Sequence, residues 1–257
     1  MKKKLLIALS VFVVVALSVA GTVAFLTSKD ASANVFTIGE VEIDLLSNDL
    51  SSITKDGKIL LMPNNTDKIA ADYKIENTGD SAAYVWLTVK VPVALEDTGD
   101  ASANNIIHWN LPGAFWYPNN KTAKYVENAL NAGYITEADL VDGVVPDSKT
   151  WLVNESFGAN KGLETIDGVE YNVYNILYNG PLASGEKTNV GVSTIFMDER
   201  VDYVDGKWAL VEKGVVTPIE FDFNSGASVK VEAHAIQANG FDTVEEAYAA
   251  YQKQWNK

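Results

Sequence analysis

The feature that most constrains this chain is its punctuation. Tyr84–Val91, "YVWLTVKV", is a short run of apolar and β-prone residues, and runs of the same kind recur along most of the sequence. They are Val35–Leu46, Lys58–Met62, Ile69–Glu76, Trp151–Asn154, Tyr171–Tyr178, Thr188–Met197, Lys207–Glu212, Val215–Phe223 and Ser228–Ile236. Gly, Pro, Asn or Asp separates most of them, as in "NTGDSAA" at Asn77–Ala83. Such residues supply the backbone conformations that reverse a chain. Many short strands between turns predict an all-β sandwich or barrel. In Val35–Leu46, Phe36, Ile38, Val41, Ile43 and Leu45 share one face if a bulge sits near Gly39.

Two segments follow a different period. In Thr122–Asn131, Ala123, Val126, Ala129 and Leu130 make a helical stripe, and Gly133 follows as a cap. Thr136–Leu140 adds a further helical turn. Both lie in a stretch rich in Asn, Asp and Gly, residues 96–148, which reads as an insertion between strands. Thr243–Trp255 predicts a C-terminal amphipathic helix. Thr243 and Glu246 have the spacing of a capping box, and Val244, Ala247, Tyr248, Tyr251 and Trp255 form the core-facing stripe. No solenoid-type repeat or long linker divides the rest, so residues 25–257 read as one domain. A chain of 257 residues, 47% apolar, is large enough to bury a real core.

At the N-terminus Lys2, Lys3 and Lys4 precede an apolar run from Leu5 to Leu26. Ser18-Val19-Ala20 and Thr22-Val23-Ala24 both place small residues where signal peptidase needs them. A strand pattern begins soon afterwards, without the linker that normally follows an anchor. The expectation is a signal peptide at residues 1–24, cut between Ala24 and Phe25, with Ala20 as the alternative site. An uncleaved anchor is the competing reading, and cleavage would leave no stable membrane anchor. Losing the three leader lysines takes the formal charge from −14 to −17. So acidic a surface disfavours nucleic acid and anionic lipid as partners and keeps monomers soluble. With no Cys, disulfides and thiolate metal sites are excluded.

Four stretches, taken in order, resemble a known family. They are "GTVAFLTSKDASANVFTIGEVEIDL" (Gly21–Leu45), "IENTGDSAAYVWLTVKV" (Ile75–Val91), "YNVYNILYNGPLASGEKTNVGVSTIF" (Tyr171–Phe196) and "VEAHAIQANGFDTVEEAYAAY" (Val231–Tyr251). They resemble the TasA/camelysin family of Gram-positive bacteria over most of the chain outside residues 96–148. The resemblance implies a jelly-roll-like β-sandwich with a helical insertion and a C-terminal helix. It implies export through an ER-type signal peptidase to the extracellular matrix or cell surface. It also implies a structural role as a biofilm-matrix fibre subunit, polymerising head-to-tail with itself and meeting other matrix proteins. In that family the freed N-terminal segment enters the next subunit as a donor strand. Here that segment is 25–37, with Phe25, Val35 and Phe36 as the apolar residues to fill pockets. A strand added to an open sheet edge gains a backbone ladder, and contacts of this head-to-tail kind do not close, so they build filaments.

The name camelysin points to a metalloprotease, but the residues do not. HExxH needs two histidines one helical turn apart, whereas His108 and His234 are the only two and are far apart in sequence. There is no GxSxG elbow, P-loop, GxGxxG context or Cys nucleophile, so neither enzyme activity nor a cofactor is expected. Asp198, Glu199, Asp202 and Asp205 offer oxygens for calcium, as do Glu96, Asp97 and Asp100. Their spacing matches no EF-hand and reads first as a solvated face. Trp109, Phe115, Trp116 and Tyr117, with Pro112 and Pro118, either pin a loop to the core or form a partner surface for polysaccharide or host protein. A monomeric surface module using that patch is the rival to the fibre subunit, and a camelysin-like metalloprotease is the enzyme alternative. An LPxTG-type sorting signal is absent; the nearest text is Leu111–Phe115, "LPGAF".

Overall fold

The computed structural model describes residues 27–30, 41–48, 54–55, 58–59, 69–96, 105–152, 162–221 and 228–255. Its strands run in chain order as β1 (Thr27–Asp30), β2 (Ile43–Leu46), β3 (Thr54–Lys55), β4 (Lys58–Ile59), β5 (Ile69–Ala70), β6 (Lys74–Asn77), β7 (Ala83–Pro92) and β8 (Ile107–Asn110). Then come β9 (Trp151–Leu152), β10 (Gly162–Ile166), β11 (Val169–Tyr178), β12 (Thr194–Met197), β13 (Val201–Val204), β14 (Lys207–Glu212), β15 (Val215–Pro218) and β16 (Lys230–Gln237). The α-helices are α1 (Ala123–Asn131) and α2 (Val244–Trp255). The described residues are therefore mostly β-sheet, as the sequence predicts.

The main sheet has the order β1-β16-β7-β11-β10, antiparallel throughout, with β9 on the far end of β11. β7 is central and buried along its whole length. Val85, Leu87, Val89 and Val91 enter the core between the layers with Ala233, Ala235, Tyr174 and Ile176. Tyr84 and Trp86 take the opposite face, where Leu152, Leu177 and Ile236 join them under Val244 and Ala247 of α2. Because helix covers one face and sheet the other, β7 reads as a nearly continuous apolar run instead of an alternating one.

The second layer joins β2-β6 to β5-β12-β8. Residues 71–77 exchange backbone hydrogen bonds with 185–193: Tyr73 N donates to Val192 O at 2.8 Å, Gly191 N to Tyr73 O at 2.9 Å and Thr188 N to Ile75 O at 2.8 Å. Ala71 N and Asp72 N both donate to Ser193 O, two residues against one, and Asp72 has φ 45°. That is a β-bulge, and it separates β5 from β6 within one bent path. Only the last four residues of the expected strand Thr188–Met197 are regular ladder, because the bulge interrupts the rest and Gly191 packs against Leu87 and Trp151 too closely for a side chain. β13-β14-β15 form a separate meander. Asp205-Gly206 and Lys213-Gly214 turn it, and Asp167-Gly168 turns β10 into β11, with positive φ at both residues of each pair. Two-residue turns of this kind match the natural twist of a hairpin.

Within residues 96–148, Ile107–Asn110 is strand β8 and belongs to the second layer. What lies outside the sheets begins after it. Phe115, Val126, Ala129, Ile135 and Val145 anchor that region to the core. α1 ends as expected: Gly133 has φ 71°, Gly133 N donates to Leu130 O and Tyr134 N to Ala129 O, a Schellman closure. Ala123, however, is exposed, so the stripe starts at Val126. Thr136–Leu140 is a 3₁₀ turn over Glu137–Asp139, closed by the Asp139 carboxylate on Thr136. In α2, Thr243 caps Glu246 N at 3.3 Å, and the Glu246 carboxylate accepts from Asp242 N at 3.1 Å, one residue before the cap. The side chain of Trp255 and the bulge near Gly39 lie outside the described residues. No helix among the described residues is long and apolar enough to cross a membrane.

Candidate functional site

The part of the N-terminal segment that is described, β1, forms the edge of the main sheet. It pairs antiparallel with β16: Thr27 opposite Ile236, Ser28 opposite Ala235, Lys29 opposite His234 and Asp30 opposite Ala233. β16 is longer than this ladder, since all eight of its residues pair with β7 on the other side. Ala24, Phe25, Val35 and Phe36, the cleavage and pocket-filling residues, lie outside the described residues.

Behind this edge the outer face of the sheet carries a buried polar cluster. Lys90 of β7 is buried, and its Nζ lies 2.8 Å from Glu164 of β10 and 3.1 Å from Glu232 of β16. Burial opposes the ammonium, but these two carboxylates outweigh it and raise the pKa above the ordinary lysine value. His234, also buried, stacks on Trp86 with centroids 5.7 Å apart and planes at 7°. Its Nδ1 is 3.1 Å from the Tyr251 hydroxyl and its Nε2 is 3.5 Å from Glu232. Burial first, then the nearby Glu232 and Tyr248, push Tyr251 up to about 12, so at neutral pH the phenol keeps its proton and can donate to Nδ1. Strand β16 is thereby clamped to β7, β10 and α2 independently of β1. These charged residues escape sequence reading, because Lys90 and Glu232 look like solvent-facing positions until α2 and the neighbouring strands are known to surround them.

The acid cluster does not converge. Asp198 is engaged by Arg200, whose Nε donates to Oδ1 at 2.7 Å and whose terminal nitrogen donates to Oδ2 at 2.9 Å. Arg200 N and His108 Nε2 complete its shell, each at 2.9 Å. Asp202 Oδ1 accepts from Tyr203 N, Asp205 sits in the β13–β14 turn, and Glu199 is exposed. Among the described residues no group of three or more metal-ligating side chains is assembled. Glu96 is also occupied, accepting from the Tyr174 hydroxyl at 2.7 Å, while Asp97 and Asp100 lie outside the described residues. The two histidines sit in different layers. His108 alternates with core-facing Ile107 and Trp109, and His234 faces α2, so the imidazoles point away from each other.

The aromatic group divides. Trp109 and Phe115 are core residues, with Trp109 against Tyr174 at 5.3 Å. Trp116 is half-buried and bridges Trp151. Tyr117 is exposed, with Lys121 Nζ 5.8 Å above its ring, and Tyr125 of α1 is exposed as well, its ring lying over Gly113. Asp147 holds Lys121 at 2.9 Å.

No protein-family model matches this chain, and neither does any curated protein or any solved structure.

Proposed function

We propose that this chain is a secreted structural subunit of extracellular biofilm-matrix fibres in a Gram-positive bacterium, assembling head-to-tail by donating its N-terminal strand to the next copy. One observation carries the reading: the segment expected to be donated pairs as a strand at a sheet edge, Thr27–Asp30 against Ala233–Ile236. A segment that can complete its own sheet has the backbone complementarity to complete an identical one. The finer fold is a jelly roll, supported by two packed antiparallel layers in which, among the described residues, the first strand neighbours the last. An ER-type signal peptidase would free the donor after Ala24, and other matrix proteins are further partners.

The test compares a chain starting at Phe25 with one starting at Thr37, both incubated at mildly acidic pH and imaged by negative-stain electron microscopy. Filaments from the longer chain alone support donation. Well-folded monomers from both transfer the reading to its rival, a monomeric surface module. Exposed Tyr117, beside half-buried Trp116 and rimmed by Lys121 and Asp147, favours polysaccharide as the ligand of that module. A sugar-binding screen with Trp116→Ala as control tests it.

A further inference from the structure

We infer that Asn239 is a self-modification site: in the turn between β16 and α2 the backbone nitrogen of Gly240 closes on the Asn239 side chain, and the residue converts to aspartate and isoaspartate, lengthening the tether of α2. Water is the only co-reactant, and no enzyme, metal or second chain takes part.

The sequence holds two Asn-Gly pairs, Asn179-Gly180 and Asn239-Gly240. Glycine leaves the attacking nitrogen unshielded, because no Cβ stands beside it. The fold treats the two pairs in opposite ways. Asn239 and Gly240 are both exposed, and the Asn239 side chain makes no hydrogen bond to any described residue. Gly240 has φ 98°, and a Cβ there would meet nothing within 4 Å. Phe241 N donates to Ala238 O at 3.2 Å, so Asn239 and Gly240 are the central residues of a β-turn, with glycine where a positive φ is needed. At the other pair, Asn179 Nδ2 donates to Asp147 O at 2.9 Å and Asn179 N to Thr150 O at 2.8 Å. Gly180 is buried, so close to residue 148 that a Cβ would lie 2.5 Å from Ser148 O. There the carboxamide is held and the following glycine is packed, so ring closure has to wait for local opening.

The step balances without oxidant or reductant. Gly240 N gives its proton to solvent, and the freed electron pair forms a bond to Asn239 Cγ. The Cγ–Nδ2 bond breaks, and the nitrogen leaves as ammonia with a proton returned by solvent. Water then opens the five-membered succinimide. Opening at Cγ gives aspartate. Opening at the backbone carbonyl gives isoaspartate, in which the chain runs through the former side chain and is one carbon longer. Either product takes the formal charge from −14 to −15.

This turn is the tether of α2. On the sheet side Ala238 N donates to Ala82 O at 2.8 Å, and on the helix side the Tyr84 hydroxyl donates to Asp242 O at 3.1 Å. Asn239 and Gly240 lie between these anchors. An extra backbone carbon there strains the bond from Phe241 N to Ala238 O first. The loosening then reaches the start of α2, where Thr243 caps the helix and Val244 packs on the sheet.

The test ages the purified protein at neutral pH, folded and in urea. Trypsin releases Val231–Lys253, in which Asn239 is the only asparagine, and mass spectrometry follows its change from amide to acid. In the folded protein Asn239 should convert at least about tenfold faster than Asn179, and the two rates should converge in urea. Equal rates in the folded protein overturn the inference. So does an Asn239 that stays intact while the urea-unfolded chain converts. For the tether, hydrogen exchange is compared between the aged fraction separated by ion exchange, the unmodified protein and Asn239→Asp, which has the charge without the extra carbon. The aged fraction should exchange about threefold or more faster across Val244–Ala247 than the other two. Equal exchange in all three, or the same acceleration in Asn239→Asp, overturns the lengthened tether.

Discussion

Replacing Asp198 with Asn probes the joint between the sandwich and the meander. Asp198 is buried at the end of β12, and it accepts from Arg200 N, Nε and a terminal nitrogen and from His108 Nε2. Arg200 also reaches Glu212 of β14 at 3.3 Å, so the guanidinium ties the meander to the body. Burial alone would raise the carboxyl. The bonds from Arg200 and His108 outweigh it and hold the group at about 2, against 3.8 for a free aspartate. That gap corresponds to roughly 2–3 kcal/mol of folding stability at neutral pH. Because the folded-state value is the lower one, the contribution is complete above about pH 4 and disappears as pH falls through 2. Urea unfolding of wild type and Asp198→Asn at pH 7, 5, 3 and 2 checks this. The difference between them should be about 2–3 kcal/mol at pH 7 and 5, about half that at pH 3, and a small remnant at pH 2. A difference as large at pH 2 as at pH 7 would refute the electrostatic account, leaving only packing. A difference under about 0.5 kcal/mol at pH 7 would refute the joint itself.

Other consequences can be checked more quickly. Asn77 is fully buried, its amide donating to Ser81 O and Leu182 O at 2.8 Å each while its oxygen accepts from Gly79 N. Asn77→Ala should cost about 2–4 kcal/mol in chemical denaturation, since three backbone groups lose their partner. Trp86 is packed by His234, Tyr248 and Tyr251. Trp86→Ala should cost about 3–5 kcal/mol and raise hydrogen exchange in α2 well before the rest of the chain. Mutual repulsion at a formal charge of −14 should slow any self-association at pH 7.5 and low salt. Light scattering should show faster growth near pH 5 or with added salt, and equal rates under all these conditions would remove the charge term.

The two-layer β architecture was readable because β7 and β11 are long and apolar and because Asp-Gly pairs mark hairpins at Asp167 and Asp205. The C-terminal helix was readable from its cap and its stripe. Short elements were not. β8 is four residues of "IHWN", and its identity as a strand comes from β12 beside it rather than from its own pattern. β10 is almost wholly exposed and has no apolar alternation to betray it. The aromatic group could either pin a loop to the core or form a surface, and spacing did not separate its members: Trp109 sits on the inward parity of a strand and Phe115 in a 3₁₀ turn under α1, while Tyr117 is exposed. The cluster around Lys90 needed three strands and a helix to converge, and no local spacing encodes that convergence.

α2 has a consequence beyond fixing β16. Lying on Trp86 and Ile236, it covers part of the outer face of the main sheet. Extended polypeptide that laminates face to face, as in cross-β deposits, needs bare and flat faces stacked about 10 Å apart. Here one face is spent on the sandwich core and a helix obstructs the other. Any growth would be left with the edges, so if this chain polymerises as proposed, the polymer would be a string of intact folded beads, each keeping its own interior, and not a stack of unfolded ribbons.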